Sequence, residues 1–335
     1  MNDPTNSEIK PVEDDGLLFG CQLNGDGTGH LIGWKELENW NDAGSAMWIH
    51  LDRNSPRVQD WLNGPSGLTA PTTDALLAEE TRPRVFHGKR GYITILRGIN
   101  TNPEADAEDM VAMRMWSDGQ HVITIRQERL MTPRDVLSEL LHTGTGPTTA
   151  SELYERLIHR ITERMADAVE SFEGELDEIE DNLDLSQANL RRNRLSELRR
   201  KTAILRRYIS PQKEALSTLL VEPPDWFLEE SRMRLRETID RLFRYIEEID
   251  AARERAAVIR DDIANQIAEA SNKTLYVLAI ISAIFLPLAF LTGLLGINVG
   301  GMPGVENANA FWVFCGVMVL LLGIELVIFK RLKWL

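Results

Sequence analysis

Residues 274–298, TLYVLAIISAIFLPLAFLTGLLGIN, form an apolar run with no charged side chain, closing on glycine and a lone amide, Asn298. No Asp, Glu, Lys or Arg occurs between Lys273 and Glu306. As a helix at 1.5 Å per residue, Thr274 to Ile297 extends roughly 35 Å, enough to cross a hydrocarbon core of about 30 Å. A buried helix of a soluble domain would need apolar partners on every side, and only one other run in the chain could supply them. That run, FWVFCGVMVLLLGIELVIF at 311–329, is itself long enough to cross. Its one charge, Glu325, stands about a turn from Lys330 and Arg331, so an interfacial ion pair is expected.

The segment between the two runs carries no Lys or Arg, whereas the C-terminus KRLKWL is basic, with Trp334 as an interfacial anchor. The positive-inside rule then places both termini in the cytoplasm and the short loop outside. The first residues, MNDPTNSEIKPVEDDG, are polar and acidic and have no apolar stretch for a signal peptide. Six segments are expected: an α/β cytosolic domain over 1–149, a helical stalk over 150–273, a first span over 274–298, an external loop over 299–310, a second span over 311–329, and a basic cytoplasmic tail over 330–335.

The 335 residues carry a net charge of −14, which repels nucleic acid and attracts cations. Cys21 and Cys315 lie far apart, so neither a disulfide nor a zinc-finger ligand set is expected. GLLFGCQL, AMWIHLD, GYITILRGI, MVAMRMW and HVITIRQ read as strands of a central sheet. SPRVQDWL and TTDALLAEE read as helices opened by Ser or Thr caps. The loop NGDGTG at 24–29 lacks the GK[ST] of a phosphate loop and reads as a turn, and TGTGPTT at 143–149 reads as a linker.

From Ala150 the pattern is helical. One helix is expected over about 150–184 and a second over about 186–221. The prolines at 223 and 224 then start a third from about Asp225, with no further proline or glycine until Pro287. Run on to Ile297, this helix would be on the order of 100 Å long. The acidic stretch ESFEGELDEIEDNLD at 170–184 reads as a solvated face rather than a cation site, having no glycine-centred calcium-loop spacing. His30, His50, His87, His121, His142 and His159 are scattered without HxxxH or HExxH spacing, so no enzyme is expected.

In steps of three and four, Asn272, Leu275, Ala279, Ser282, Leu286, Ala289 and Gly293 share one stripe of the long helix, and Asn298 follows just beyond. Such a seam of small or weakly polar residues packs closely on another helix or faces a water-filled axis. Upstream, the same spacing reaches Asn265, Asp261, Val258 and Glu254. Two spans cannot enclose a pathway, but a ring of identical subunits can. The residues thus predict a homo-oligomeric cation pathway in the membrane.

With its acidic helices, long stalk, two C-terminal spans and Gly296-Ile297-Asn298 at the outer end of the first span, the chain resembles the CorA-type metal ion transporters. The isoleucine of GIN, the continuation VGGMPG and the ending KWL are similar to the zinc-transporting ZntB branch, where the magnesium branch normally has Gly-Met-Asn. The resemblance covers essentially the whole chain. It implies a homopentameric funnel with a ring of Asn298 side chains holding a hydrated divalent ion, and proton-coupled zinc import across the inner membrane. It also implies that Asp261 contributes to an inter-subunit regulatory metal site. The stripe has no His, Cys, Asp or Glu within the membrane, so weak selectivity among zinc, cadmium, nickel and cobalt is expected. Glu306, in the outer loop, is a candidate for concentrating cations at the mouth. No cofactor and no other protein partner is implied beyond membrane lipid. The alternatives are a CorA-type magnesium or cobalt channel and, in another class, a membrane-anchored metal sensor.

Overall fold

A computed structural model describes residues 15–37, 40, 44–79, 82–181, 187–297, 304 and 307–332. The chain divides into two compact units, residues 1–183 with 189–259, and residues 184–188 with 260–335.

The first unit is built on a seven-stranded sheet in the order β2-β1-β3-β7-β6-β5-β4. Its strands are β1 (Leu17–Leu23), β2 (Gly29–Ile32), β3 (Met47–Asp52), β4 (Arg84–Gly88), β5 (Gly91–Gly98), β6 (Val111–Ser117) and β7 (His121–Arg126). β3 and β7 pair in parallel, and the other neighbours are antiparallel. All five strands expected from alternation are present. The two short edge strands β2 and β4 were not foreseen. GHLI and RVFHG carry too little apolar alternation to stand out, and each is held as one arm of a hairpin. NGDGTG is the turn of the first hairpin, where the Asp26 carboxylate accepts from the Thr28 N–H at 2.9 Å.

Period-two alternation divides the two faces of the sheet. Ile93 and Ile95 of β5 join a core with Trp34, Trp40, Trp61 and Trp116. That core includes α1 (Trp34–Leu37), α2 (Pro56–Asn63) and α3 (Ala70–Leu77). Ser55 caps α2, accepting from the Val58 N–H, whereas Thr69 precedes α3 without a side-chain cap bond. On the opposite face, Thr94 hydrogen-bonds Tyr154, and a side chain at Gly98 would collide with Ile161. Both partners come from α5 (Ala150–Glu163), which follows α4 (Thr132–Ser138) and a single π-turn at Glu139–Thr143.

The single helix expected over 150–184 is two. α5 ends at Glu163, and α6 (Ala166–Asp181) begins after a turn in which Met165 N–H bonds the Thr162 carbonyl at 3.0 Å. No glycine or proline marks this break. It falls where Arg164 reaches Asp135 of α4 at 2.6 Å and Met165 is fully buried. α7 (Ala188–Val221) follows.

The long helix, α8, runs Glu229–Leu295. It starts four residues later than expected because Trp226 and Phe227 turn inward against the Tyr154 ring, at 5.4 and 6.4 Å. The Ser151 hydroxyl then accepts from the Leu228 N–H at 2.9 Å. The acidic stretch of α6 is an ion-paired face: Arg194 of α7 reaches Glu178 at 2.9 Å, and Arg255 of α8 pairs with Asp177 at 2.7 Å and with Glu180.

The second unit contains the rest of α8 and α9 (Ala310–Arg331). Both helices are long and apolar enough to cross a membrane.

Candidate ion pathway

Burial along α8 falls on one seven-residue frame in two stretches, separated by residues 267–279, which are exposed all round. In its first half, Leu235, Leu242, Ile249, Ala256 and Ile263 are buried, each seven residues from the last. So are Ser231, Thr238, Tyr245, Ala252 and Ile259, offset by three or four. In the apolar half, Ile280, Ile284, Pro287 and Leu291 are half-buried and fall on the same two frame positions. Within the second unit, α9 shows a matching pattern at Phe314, Met318, Leu321, Glu325 and Phe329. Covered positions recurring every three and four residues on both spans are the mark of two helices sharing a seam.

The stripe Asn272, Leu275, Ala279, Ser282, Leu286, Ala289 and Gly293 lies two residues out of that frame. Two residues turn a helix by about 200°, so the stripe occupies the face opposite the covered one. Every stripe residue is exposed, Leu286 at 73 %. Upstream, Glu254, Val258, Asp261 and Asn265 continue the same register and are exposed too. The helix therefore has a covered and an exposed side from Ser231 to Ile263 and from Ile280 to Leu291, with the stripe on the exposed side, whereas residues 267–279 are exposed all round.

At the end of α8 the Gly296 N–H donates to the Thr292 carbonyl at 2.9 Å, and a Cβ on Gly296 would stand 3.0 Å from that oxygen. Glycine here admits a close approach as the chain leaves the helix; its φ is not positive. Ile297 is half-exposed just beyond. Asn298 and Glu306 lie outside the described residues.

Asp261 is exposed and accepts from the Arg260 guanidinium at 2.9 Å, a pairing of sequence neighbours. Among the described residues no three His, Cys, Asp or Glu side chains group to hold a metal ion. Cys315 is half-buried on α9, among the covered positions. Cys21 is buried in the sheet, and burial pushes its thiol up to about 12.

The histidines are tied locally. His50 meets the Thr124 hydroxyl at 2.9 Å, and burial drives it down to about 3. His121 pairs with Asp118 at 3.0 Å, and His159 meets Thr238 at 3.2 Å with its affinity for protons lowered by burial. Glu155 of α5 is buried with one carboxyl oxygen unpartnered. Burial pushes it up to about 7 against the opposing pull of Arg234 and Arg156.

Glu325 departs from expectation. It forms no ion pair with Lys330 or Arg331, and its Oε2 is shielded without a hydrogen-bond partner. Five and six residues carry those cations about 140° and 240° around the helix, outside the i+3 and i+4 positions that meet.

A family model for the CorA-like Mg2+ transporter protein matches residues 43–331. The chain belongs to the CorA family. It is 38% identical over 323 residues to the divalent cation transporter CmaX of Pseudomonas aeruginosa, spanning 96% of this chain and 97% of that one. It is 32% identical to the zinc transport protein ZntB of Pectobacterium carotovorum, over 97% of this chain and 98% of that one. Among solved structures, full-length CmaX superposes with a TM-score of 0.81 at 36% identity, covering 96% of this chain and 99% of that one. The CorA magnesium transporter of Methanocaldococcus jannaschii superposes at 0.79 and 16% identity, covering 95% and 98%, a likeness of fold. The chain is accordingly a divalent cation transporter rather than an enzyme, with an α/β domain, a long helix and two apolar C-terminal helices.

Proposed function

We propose that this chain is a zinc-preferring member of the family, importing zinc across the inner membrane with protons through a homopentameric pore. The observation that carries the reading is the frame of α8, covered from Ser231 to Ile263 and again from Ile280 to Leu291, with a stripe of small and weakly polar residues exposed on the opposite face. A strict seven-residue repeat on a 3.6-residue helix imposes a left-handed supercoil, which lets identical helices converge around one axis. In that assembly Asn272, Leu275, Ala279, Ser282, Leu286, Ala289 and Gly293 line the axis. Gly296, Ile297 and Asn298 form the outer ring.

Amide oxygens carry a dipole but no charge, so five of them can hold the water shell of a divalent ion without trapping it. The apolar neck about Leu275 and Ala279 then separates this ring from the acidic approach at Asp261 and Glu254. Asp261, freed from Arg260, is placed to meet a cation with a neighbouring subunit. Glu306 raises the local cation concentration outside. Both termini face the cytoplasm, with 299–310 as the external loop and 330–335 as the basic inner tail.

The zinc assignment is supported by the ZntB relatives, 31–33% identical over nearly the full length. The 38% identical relative is named only for divalent cations. A magnesium or cobalt channel is the second reading. It is favoured by a stripe from Asn265 to Gly293 that offers no imidazole, thiolate or carboxylate to a zinc ion.

The test is metal uptake into liposomes holding the purified protein, wild type against Asn298→Ala, zinc against magnesium, with and without an inward proton gradient. Zinc flux that needs Asn298 and rises with the gradient is expected. Magnesium flux indifferent to the gradient would select the channel.

A further inference from the structure

Two successive helices of the first unit carry opposite charge. α6 holds eight Asp and Glu and no Lys or Arg, whereas α7 holds nine Lys and Arg against two Glu. Their contact with each other uses little of this. Arg194 of α7 reaches Glu175 at 3.8 Å and Glu178 at 2.9 Å, and Asp177 and Glu180 are taken by Arg255 of α8. Glu170, Glu173 and Asp181 of α6 and Arg192, Arg199 and Arg207 of α7 are exposed, and they form no ion pair among the described residues.

At about 100° per residue, the three arginines stand about 140–160° around α7 from Arg194, the side chain that meets α6. They share one stripe, spaced by seven and eight residues. On α6 the three acids stand about 90–170° from the midpoint of Glu175 and Glu178, the pair that meets α7. Each stripe is therefore turned away from the oppositely charged helix of its own chain, and only a second copy can supply what it lacks. Arg194 also fixes the levels. It lies six residues past the start of α7, and Glu178 and Glu175 lie three and six residues short of the end of α6, as in an antiparallel pair. Arg199 is thereby level with Glu170 and Glu173, and Arg192 is within about one residue's rise of Asp181. Rotation about an axis along the helices leaves these levels unchanged, so neighbours in a ring meet in register.

We propose that the basic stripe of α7 docks on the acidic stripe of α6 in a second copy of this chain, Arg199 meeting Glu170 and Glu173 and Arg192 meeting Asp181. This rests on the homo-oligomeric pore proposed above. Each chain offers one stripe to each neighbour, a head-to-tail contact of the kind that closes into a ring. Exposed pairs contribute little affinity one by one. As rows of fixed sign they repel their own kind and select the register of the neighbour. The contact orders the first units around the ring rather than holding the ring together.

The experiment co-expresses two full-length chains in a Cys315→Ala background, one tagged and bearing Glu173→Cys, the other untagged and bearing Arg199→Cys. Cys21 is buried in the sheet and stays silent. A short bis-maleimide is applied to the purified protein, and only a contact between copies gives a tagged–untagged dimer. Light scattering and the thermal midpoint report oligomer size and folding. The mixed dimer should exceed several-fold the dimer formed when both chains carry Glu173→Cys. Arg192→Glu in both chains should cut its yield several-fold, and adding Asp181→Arg should restore it. An intact oligomer without the mixed dimer overturns the inference and leaves the pore standing, the arginine stripe then being free for anionic lipid. A monomeric protein overturns the pore reading, and this inference with it. A mixed dimer indifferent to Arg192→Glu, or a loss that Asp181→Arg does not repair, overturns the charge pairing. If the Arg192→Glu protein fails to fold, the yields of the two cysteine pairings decide.

Discussion

The two halves of α8 share one helix and one repeat, yet they are held by different means. From Ser231 to Ile263 the covered face is sealed by the protein itself, with Leu235, Leu242, Ile249 and Ala256 fully buried. Its flanks are pinned by arginine pairs such as Arg255 with Asp177 and Arg206 with Asp250, the latter at 2.6 Å. From Thr274 to Leu295 there is no charge to pair, and the only cover falls on one narrow face. The first half is anchored by water-driven burial and ion pairs. The second leaves most of its surface exposed, as the proposed helix lining a shared axis requires.

The comparison can be broken most forcefully on the sealed face. Leu242→Ala should cost about 2–5 kcal/mol of stability by opening a cavity. Val258→Ala, on the open face of the same helix and 56 % exposed, should stay within about 0.5 kcal/mol. Denaturant melts of the purified protein distinguish the two, and equal losses would mean that the open face is closed.

A second test uses Glu155. Its pKa is raised from 4.5 to about 7, so the folded state binds its proton more tightly than the unfolded chain. Stability from this group therefore declines as pH rises from 4.5 through about 7 and is level above. Glu155→Gln should be more stable than wild type at pH 8 by up to about 3 kcal/mol, with the gain vanishing in acid. A gain that grew in acid would reverse the assignment.

The smallest effect belongs to the flanks. Arg255→Ala removes both acidic partners of a half-exposed guanidinium, a loss of about 0–1 kcal/mol that should fade as salt is raised. Thermal melts at low and high salt follow it, and a salt-independent loss would point to lost packing of the side chain's apolar stem.

Much of this was legible in the sequence where periodicity is strong. β1, β3, β5, β6 and β7, the caps of α2, and both spans follow from alternation, turn residues and long apolar runs. β2 and β4 were hidden because four- and five-residue edge strands with glycine draw their stability from pairing rather than pattern. The break at Arg164–Met165 and the late start of α8 were hidden because tertiary contacts made by Asp135, Tyr154 and Ser151 set them. The stripe of α8 could be read from spacing alone. Its counterpart, the sealed face in the same register, needed the burial of Leu235 through Leu291. Glu325 was misread by counting along the chain, where counting around the helix separates it from Lys330 and Arg331.

The central claim is that α8 turns its stripe to a water-filled axis and its other face to α9. Ser282 and Ala283 are adjacent in sequence and lie on these two faces. The most direct measurement is the reaction of Ser282→Cys and Ala283→Cys with a small, membrane-impermeant thiol reagent, in membranes and in a Cys315→Ala background. Cys21, buried with its thiol pushed up to about 12, stays silent. Modification at 282 that blocks metal flux, with 283 unreactive, is the predicted result. Equal reactivity at both positions, or reactivity at 283 alone, would contradict it.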